Sequence, residues 1–185
     1  MKLSILKSLL TLGVTKEDAQ KYIVLLEKRE EKRTSKKIET LVPIAYLKED
    51  GSLECLPYLD TARKSEIFGI QVASCIWKKE TTGKDVTFYE ATKMAEKEGC
   101  MLPSASDFEA LISSHCDWID SVMMTTSTLK EHGINICLPG GKTSFWTRER
   151  TEDGENITVY NMYNQVNYKY DPTRRTAHAH FVRYI

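Results

Sequence analysis

The sequence predicts an α+β domain over residues 42–185, built from short helices and a mainly antiparallel twisted sheet and preceded by a helical hairpin and linker over residues 1–40. Three observations carry this expectation. Apolar residues recur at sustained helical spacing in residues 3–26, and the stretch Glu27 to Lys37 that follows contains no apolar residue at all. Strand-like runs then open the second part, around an Asp50-Gly51 turn signal. Helical sequence occupies its middle, and strand-like runs return from Ile134 to the last residue.

In the first part, Leu3, Leu6, Leu9 and Leu10 form a stripe that Gly13 is placed to end. Thr15 with Asp18 resembles a capping box, and Ala19, Tyr22, Ile23 and Leu26 continue a helical face behind it. A hairpin of this size does not stabilise itself, so its stripe must pack on something. It can dock on its own domain, join copies through residues 3–26 as a homo-oligomer, or attach the chain to a larger assembly. The polar run after it reads as a solvated helix end passing into a linker.

In the second part, Val42 to Leu47 and Ser52 to Tyr58 read as a β-hairpin closed at Glu49-Asp50-Gly51. Glu66 to Trp77 is a longer apolar run, read as one buried strand containing Gly69. Thr87 is placed to cap a helix ending at Gly99, and Ser106 with Glu109 to cap a second whose apolar face is Phe108, Leu111 and Ile112. A third helix is expected from Trp118 to Leu129, ending at Gly133. Strands are expected at Ile134–Leu138, Ser144–Arg148, Ile157–Tyr163, Val166–Tyr170 and Ala177–Ile185, with a turn at Pro139-Gly140-Gly141.

Composition narrows the function. The 185 residues carry 26 basic and 26 acidic side chains, so no overall field draws in nucleic acid or an anionic membrane. Residues 1–40 hold ten Lys/Arg against six Asp/Glu, too mild an excess for a DNA-reading face, and no nucleic-acid partner is expected. No apolar run reaches the length of a membrane span, and Lys7 interrupts the only stretch that resembles a signal peptide. A cytoplasmic or phage-assembly location without membrane insertion is the expectation. The five cysteines, Cys55, Cys75, Cys100, Cys116 and Cys137, are odd in number, widely spaced and without a C-x-x-C. They read as free, mostly buried thiols in a reducing compartment.

Three motifs in order carry a family resemblance. Phe88-Tyr89-Glu90-Ala91 is followed by Gly99-Cys100-Met101-Leu102-Pro103-Ser104 and then by Asp107-Phe108-Glu109-Ala110-Leu111. Ser144-Phe145-Trp146-Thr147 and finally Phe181-Val182-Arg183-Tyr184 complete the series. The succession resembles the formylglycine-generating-enzyme-like and lectin-like branch of the C-type-lectin fold, including its bacterial and phage ligand-display members, over about residues 42–185. Met101 stands where that family carries an arginine.

The resemblance implies three activities, which the residues sort. Calcium-dependent sugar binding needs a carboxylate-rich loop of the E-P-N or Q-P-D kind with a W-N-D; the chain has none, and Trp118-Ile119-Asp120 lacks the asparagine. Formylglycine chemistry needs a cysteine pair in the C-terminal part, but the last cysteine is Cys137. Ligand display from the last strands remains. There Tyr160, Tyr163, Tyr168 and Tyr170, four of nine tyrosines, alternate with Asn161, Asn164 and Asn167. Tyrosine offers a large amphipathic contact at low rotamer cost, and asparagine offers adaptable hydrogen bonds, a mixture typical of paratopes. The bland alternative is tyrosine used as an ordinary half-buried strand residue. Trp146 and Arg148 join this set as candidate ligand contacts.

His178 and His180 would share one face of the last strand, where His115 or His132 could supply a third ligand to a metal. Two histidines alone are more simply explained as buried, hydrogen-bonded residues, so no metal and no cofactor is expected. Neither a P-loop, a dinucleotide turn nor a Ser/His/Asp order is present. The expectation is a non-enzymatic, calcium-independent module that binds a protein or cell-surface ligand. A metal-using enzyme at the histidines, or a scaffold acting through the N-terminal helices, are the alternatives.

Overall fold

The computed structural model of the protein describes Thr15 and residues 42–119, 122–137 and 144–185. The chain divides into two units between Leu41 and Val42. Apart from Thr15, residues 1–40 and the helical hairpin expected there lie outside the described residues, as does the turn expected at Pro139-Gly140-Gly141.

Strands β1 (Ile44–Leu47) and β2 (Leu53–Leu56) form the expected first hairpin. Asp50 Oδ1 accepts the Ser52 backbone N–H at 2.9 Å, and Gly51 takes φ +79°, a conformation that side chains with a Cβ resist. The second strand stops before Pro57, which has no N–H to extend a ladder. A 3₁₀ turn over Thr61–Glu66, capped by Asp60, then leads into the centre of the sheet.

The run Glu66 to Trp77 is not one strand. It folds back on itself as β3 (Ile67–Val72) and β4 (Cys75–Lys78), with Val72 paired to Cys75 and Ala73 at φ +52° in the turn. Gly69 is obligatory in this pair, because a Cβ there would lie 1.5 Å from the Trp77 carbonyl oxygen.

Helix α1 (Phe88–Lys97) begins at the expected Thr87, whose hydroxyl accepts the Glu90 N–H while the Glu90 carboxylate accepts the Thr87 N–H. Helix α2 (Ala105–His115) is capped by Ser104, two residues before the expected Ser106. Its capping box joins Ser104 to Asp107, and this start turns Ala105, Phe108 and Leu111 into the core.

The third helix expected over Trp118–Leu129 is instead a two-stranded hairpin, β5 (Cys116–Ile119) and β6 (Val122–Thr125), followed by the one-turn helix α3 (Ser127–Glu131). Along β6 burial alternates, with Met123 and Thr125 inside and Val122 and Met124 only half-covered. That is a strand's period of two. Residues 134–137 are buried at Ile134, Ile136 and Cys137 but form no strand, contrary to expectation.

The remaining strands are β7 (Ser144–Arg150), β8 (Ile157–Asn161), β9 (Val166–Tyr170) and β10 (Val182–Tyr184). Residues 177–181, expected within a continuous last strand, make only isolated bridges, Val86 with Ala177 and Phe145 with His178.

The described residues thus form a mixed α/β unit in which all paired strands run antiparallel. The expected single sheet is three: a five-stranded sheet in the order β10-β4-β3-β1-β2, the hairpin β5-β6, and the three-stranded β7-β8-β9. Strands from the beginning and the end of the unit lie in one sheet, so β10 closes it against β4.

The inner strands of both larger sheets are buried on both faces. One core places Tyr46, Ile70, Trp77 and Val182 against Phe108 and Leu111 of α2 and against Phe145, Tyr160 and Met162. The other places Phe68, Ile76 and Phe181 against Phe88, Ala91 and Ala95 of α1 and against Trp146, Ile157 and Val159. Each large side chain removed from water this way contributes about 1.5–3 kcal/mol. Among the described residues no helix is long and apolar enough to cross a membrane.

Candidate ligand-binding surface

Strand β9 is the outer strand of its sheet, and residues Val166 to Lys169 are exposed, unlike their neighbours on β8. The turn that delivers it is fixed by side chains. Asn161 Oδ1 accepts the backbone N–H groups of Tyr163 at 2.9 Å and Asn164 at 3.2 Å, and Asn161 Nδ2 donates to Ser144 Oγ at 3.1 Å. Gln165 completes the reversal at φ +55°.

Outside this turn stand four large side chains: Tyr163 at 56% exposure, Val166 at 44%, Trp118 at 42% and Tyr168 at 40%. Two of the aromatic groups meet edge to face, Trp118 and Tyr163, with centroids 5.2 Å apart at 87°. Asn164 Nδ2 donates to the Tyr168 hydroxyl at 2.7 Å. Two pairs on this surface are therefore each fixed by a contact between their own members, which lowers the ordering cost of binding.

The structure sorts the residues expected to touch a ligand. Tyr163, Asn164, Asn167 and Tyr168 are exposed in the surface just described. Asn161 is half-buried and shapes the turn, and half-buried Tyr170 lies edge-on to Trp146 at 6.0 Å. Two expectations are corrected. Trp146 is fully buried, with its indole N–H donating to the Val86 carbonyl at 2.8 Å. Tyr160 is also fully buried, stacked on Phe108 at 5.3 Å and 4°, and burial followed by the charge of Glu109 pushes its hydroxyl up to about 12. Neither can be displayed, because both faces of β7 and β8 are covered at these positions.

Arg148 is exposed but sits over the Tyr184 ring at 4.4 Å, beside a cavity of about 200 Å³ lined by Phe88, Ala95, Cys100 and Leu102. Trp118 and Val166 belong to the surface and were not expected in it. Trp118 was hidden by the helical reading of its segment.

The histidines do not share an exposed strand face. His178 is buried, with Nδ1 3.3 Å from the Thr82 carbonyl and Nε2 2.8 Å from Asp85 Oδ1, an ion-pair distance outside hydrogen-bonding geometry. His180 is fully buried, its Nδ1 accepts the Phe181 N–H at 3.0 Å, and its ring stands edge-on to Trp77 at 5.0 Å. Burial pushes its imidazole down to about 3, so it is neutral near pH 7. Among the described residues no three His, Cys, Asp or Glu side chains are grouped as a metal site.

One polar cluster could be mistaken for catalytic machinery. The Asp107 carboxylate accepts from the Ser104 N–H and hydroxyl, from the Cys75 thiol at 3.2 Å and from the Tyr184 hydroxyl. Burial alone would raise this carboxyl, but the donors of Ser104, Tyr184 and Cys75 outweigh it and hold it below the usual value. Burial, then the hydrogen bond to Asp107, pushes Cys75 up to about 11, and Tyr184 is raised by the same two causes. A thiol kept protonated reacts only slowly at neutral pH. The cluster ties the start of α2 to β4 and β10.

No family model, curated protein or solved structure matches the chain.

Proposed function

We propose that residues 42–185 form a calcium-independent, non-enzymatic binding module of C-type-lectin-like type, whose working surface is Trp118, Tyr163, Asn164, Val166, Asn167 and Tyr168. The observation that carries the reading is the edge-to-face contact of two exposed aromatic side chains, Trp118 and Tyr163, from separate hairpins. Exposed tryptophan and tyrosine on pinned turns are the usual anchors of protein recognition. Single exposed apolar residues need no explanation, whereas two exposed aromatic rings held against each other invite one. The lectin-like part of the reading is supported by the order Leu102-Pro103, Trp146 and Val182 in the sequence, and by a last strand that closes the opening sheet.

The partner class is a protein or a cell-surface ligand. The test is a selection of the wild-type protein against a displayed library of peptides and small folded domains, run beside an immobilised glycan array. Binders that are enriched by the wild type and lost by W118A/Y163A/Y168A, at equal thermal stability, support the reading. Enriched binders that the folded triple variant retains refute it.

A further inference from the structure

All five cysteines are free, yet two of them are neighbours. The sulfur atoms of Cys116 and Cys137 lie 3.0 Å apart, about 1 Å beyond the bonding distance of roughly 2.05 Å. Their positions are set from both sides of Thr125. Cys116 is paired with Thr125 across the β5-β6 ladder, and the Ile136 N–H, one residue before Cys137, donates to Thr125 Oγ1 at 3.3 Å. The Cys116 N–H is fixed in turn to the Ile112 carbonyl at the end of α2. The other thiols are engaged differently: Cys75 donates to Asp107, Cys100 meets the Glu98 carbonyl at 3.5 Å, and Cys55 is exposed.

We propose that Cys116 and Cys137 are a redox modification site, closing to a disulfide that staples the foot of the strand carrying Trp118. Cys116 is half-buried and Cys137 buried, which assigns the order of events. The Cys116 thiol loses its proton to solvent, and its thiolate attacks one sulfur of a small-molecule disulfide of the oxidised-glutathione class. The S–S bond of the oxidant breaks, and one glutathione leaves as a thiolate that takes up a proton. Cys137, deprotonated in turn, attacks the Cys116 sulfur of the mixed disulfide and releases the second glutathione thiol. Two protein thiols are oxidised and one small disulfide is reduced to two thiols. The hydrogen bond to Cys137 and burial raise the Cys116 thiol above its ordinary value, so the reaction is slow at neutral pH and quickens as pH rises. The proposal does not depend on what the aromatic surface binds.

The full chain is equilibrated at pH 8 in glutathione buffers of stepped oxidised-to-reduced ratio, quenched with an alkylating reagent, digested and mapped by mass. The expected product is a cross-linked peptide joining Cys116 to Cys137, formed while Cys75 and Cys100 still take the alkylating label. C137S stops at the mixed disulfide on Cys116, C116S leaves Cys137 alkylatable, and C100S behaves as wild type. Oxidised wild type gains roughly 5–10 °C in Tm over the reduced protein, a gain that C137S lacks. Exposed Cys55 is the internal control. Glutathione on Cys55 with Cys116 and Cys137 both still alkylatable in the native protein overturns the proposal, as does a cross-link between any other pair.

Discussion

His180 makes the folded unit sensitive to mild acid, by an amount that follows from its surroundings. The imidazole has no exposed surface, faces Trp77 edge-on and is held down to about 3 by burial, against 6.5 for the free side chain. A group whose folded value lies below its unfolded value is protonated first in the unfolded chain. Its contribution to stability is therefore complete above about pH 6.5 and is lost as pH falls towards 3. The two values give a loss of about 2 kcal/mol at pH 5 relative to pH 8, approaching about 1.4 kcal/mol per further pH unit. His115, also lowered by burial, acts in the same direction. Urea unfolding of wild type and H180F at pH 8, 6.5 and 5 isolates the term. The variant forfeits the Phe181 N–H bond and starts less stable, but its stability should fall between pH 8 and 5 by about 2 kcal/mol less than that of the wild type. Parallel pH profiles would refute the burial of a neutral His180.

Two further perturbations test the fold. Gly69→Ala places a methyl group on the Trp77 carbonyl, so the β3-β4 pair must separate; the expected cost is about 3–5 kcal/mol, measured by urea unfolding or seen as failure to recover soluble protein. Ser104→Ala should cost about 1–2 kcal/mol in the same assay through loss of the α2 cap, while Ser106→Ala stays within about 0.5 kcal/mol. The opposite ranking would restore the cap position that the sequence suggests.

Local chemistry was legible in the sequence, and burial was not. Asp50-Gly51, the Thr87 cap and the strand Val166–Tyr170 are each specified by residues within a few positions, and each was read correctly, although Glu90 as the partner of Thr87 was not. The hairpin inside Glu66–Trp77 was missed because β3 and β4 are mostly apolar on both faces and their turn uses Ala73 and Ser74, of which only the serine is a turn former, and a weak one. Ser106 with Glu109 was read as the cap because a glutamate three residues on fits the usual capping box, whereas the actual box of Ser104 with Asp107 uses a shorter acid that also accepts from Cys75 and Tyr184, contacts distant in sequence. The same limit governs the candidate surface. Alternation along β8 marks a strand but not which faces are covered, so buried Tyr160 and exposed Tyr168 looked alike. Trp118 reaches Tyr163 only through the fold. Asn161 and Asn164, picked out in the sequence beside the tyrosines, hold the turn that presents Tyr163 and Tyr168.

The central claim is that an exposed, internally pinned aromatic patch carries binding. The most direct measurement is an equilibrium titration of one ligand selected on the wild-type protein against wild type and W118A/Y163A/Y168A, with Tm recorded for both. A loss of affinity of about 30-fold or more, roughly 2 kcal/mol, with Tm changed by no more than about 3 °C is the predicted result. Equal affinity in a folded triple variant would contradict it.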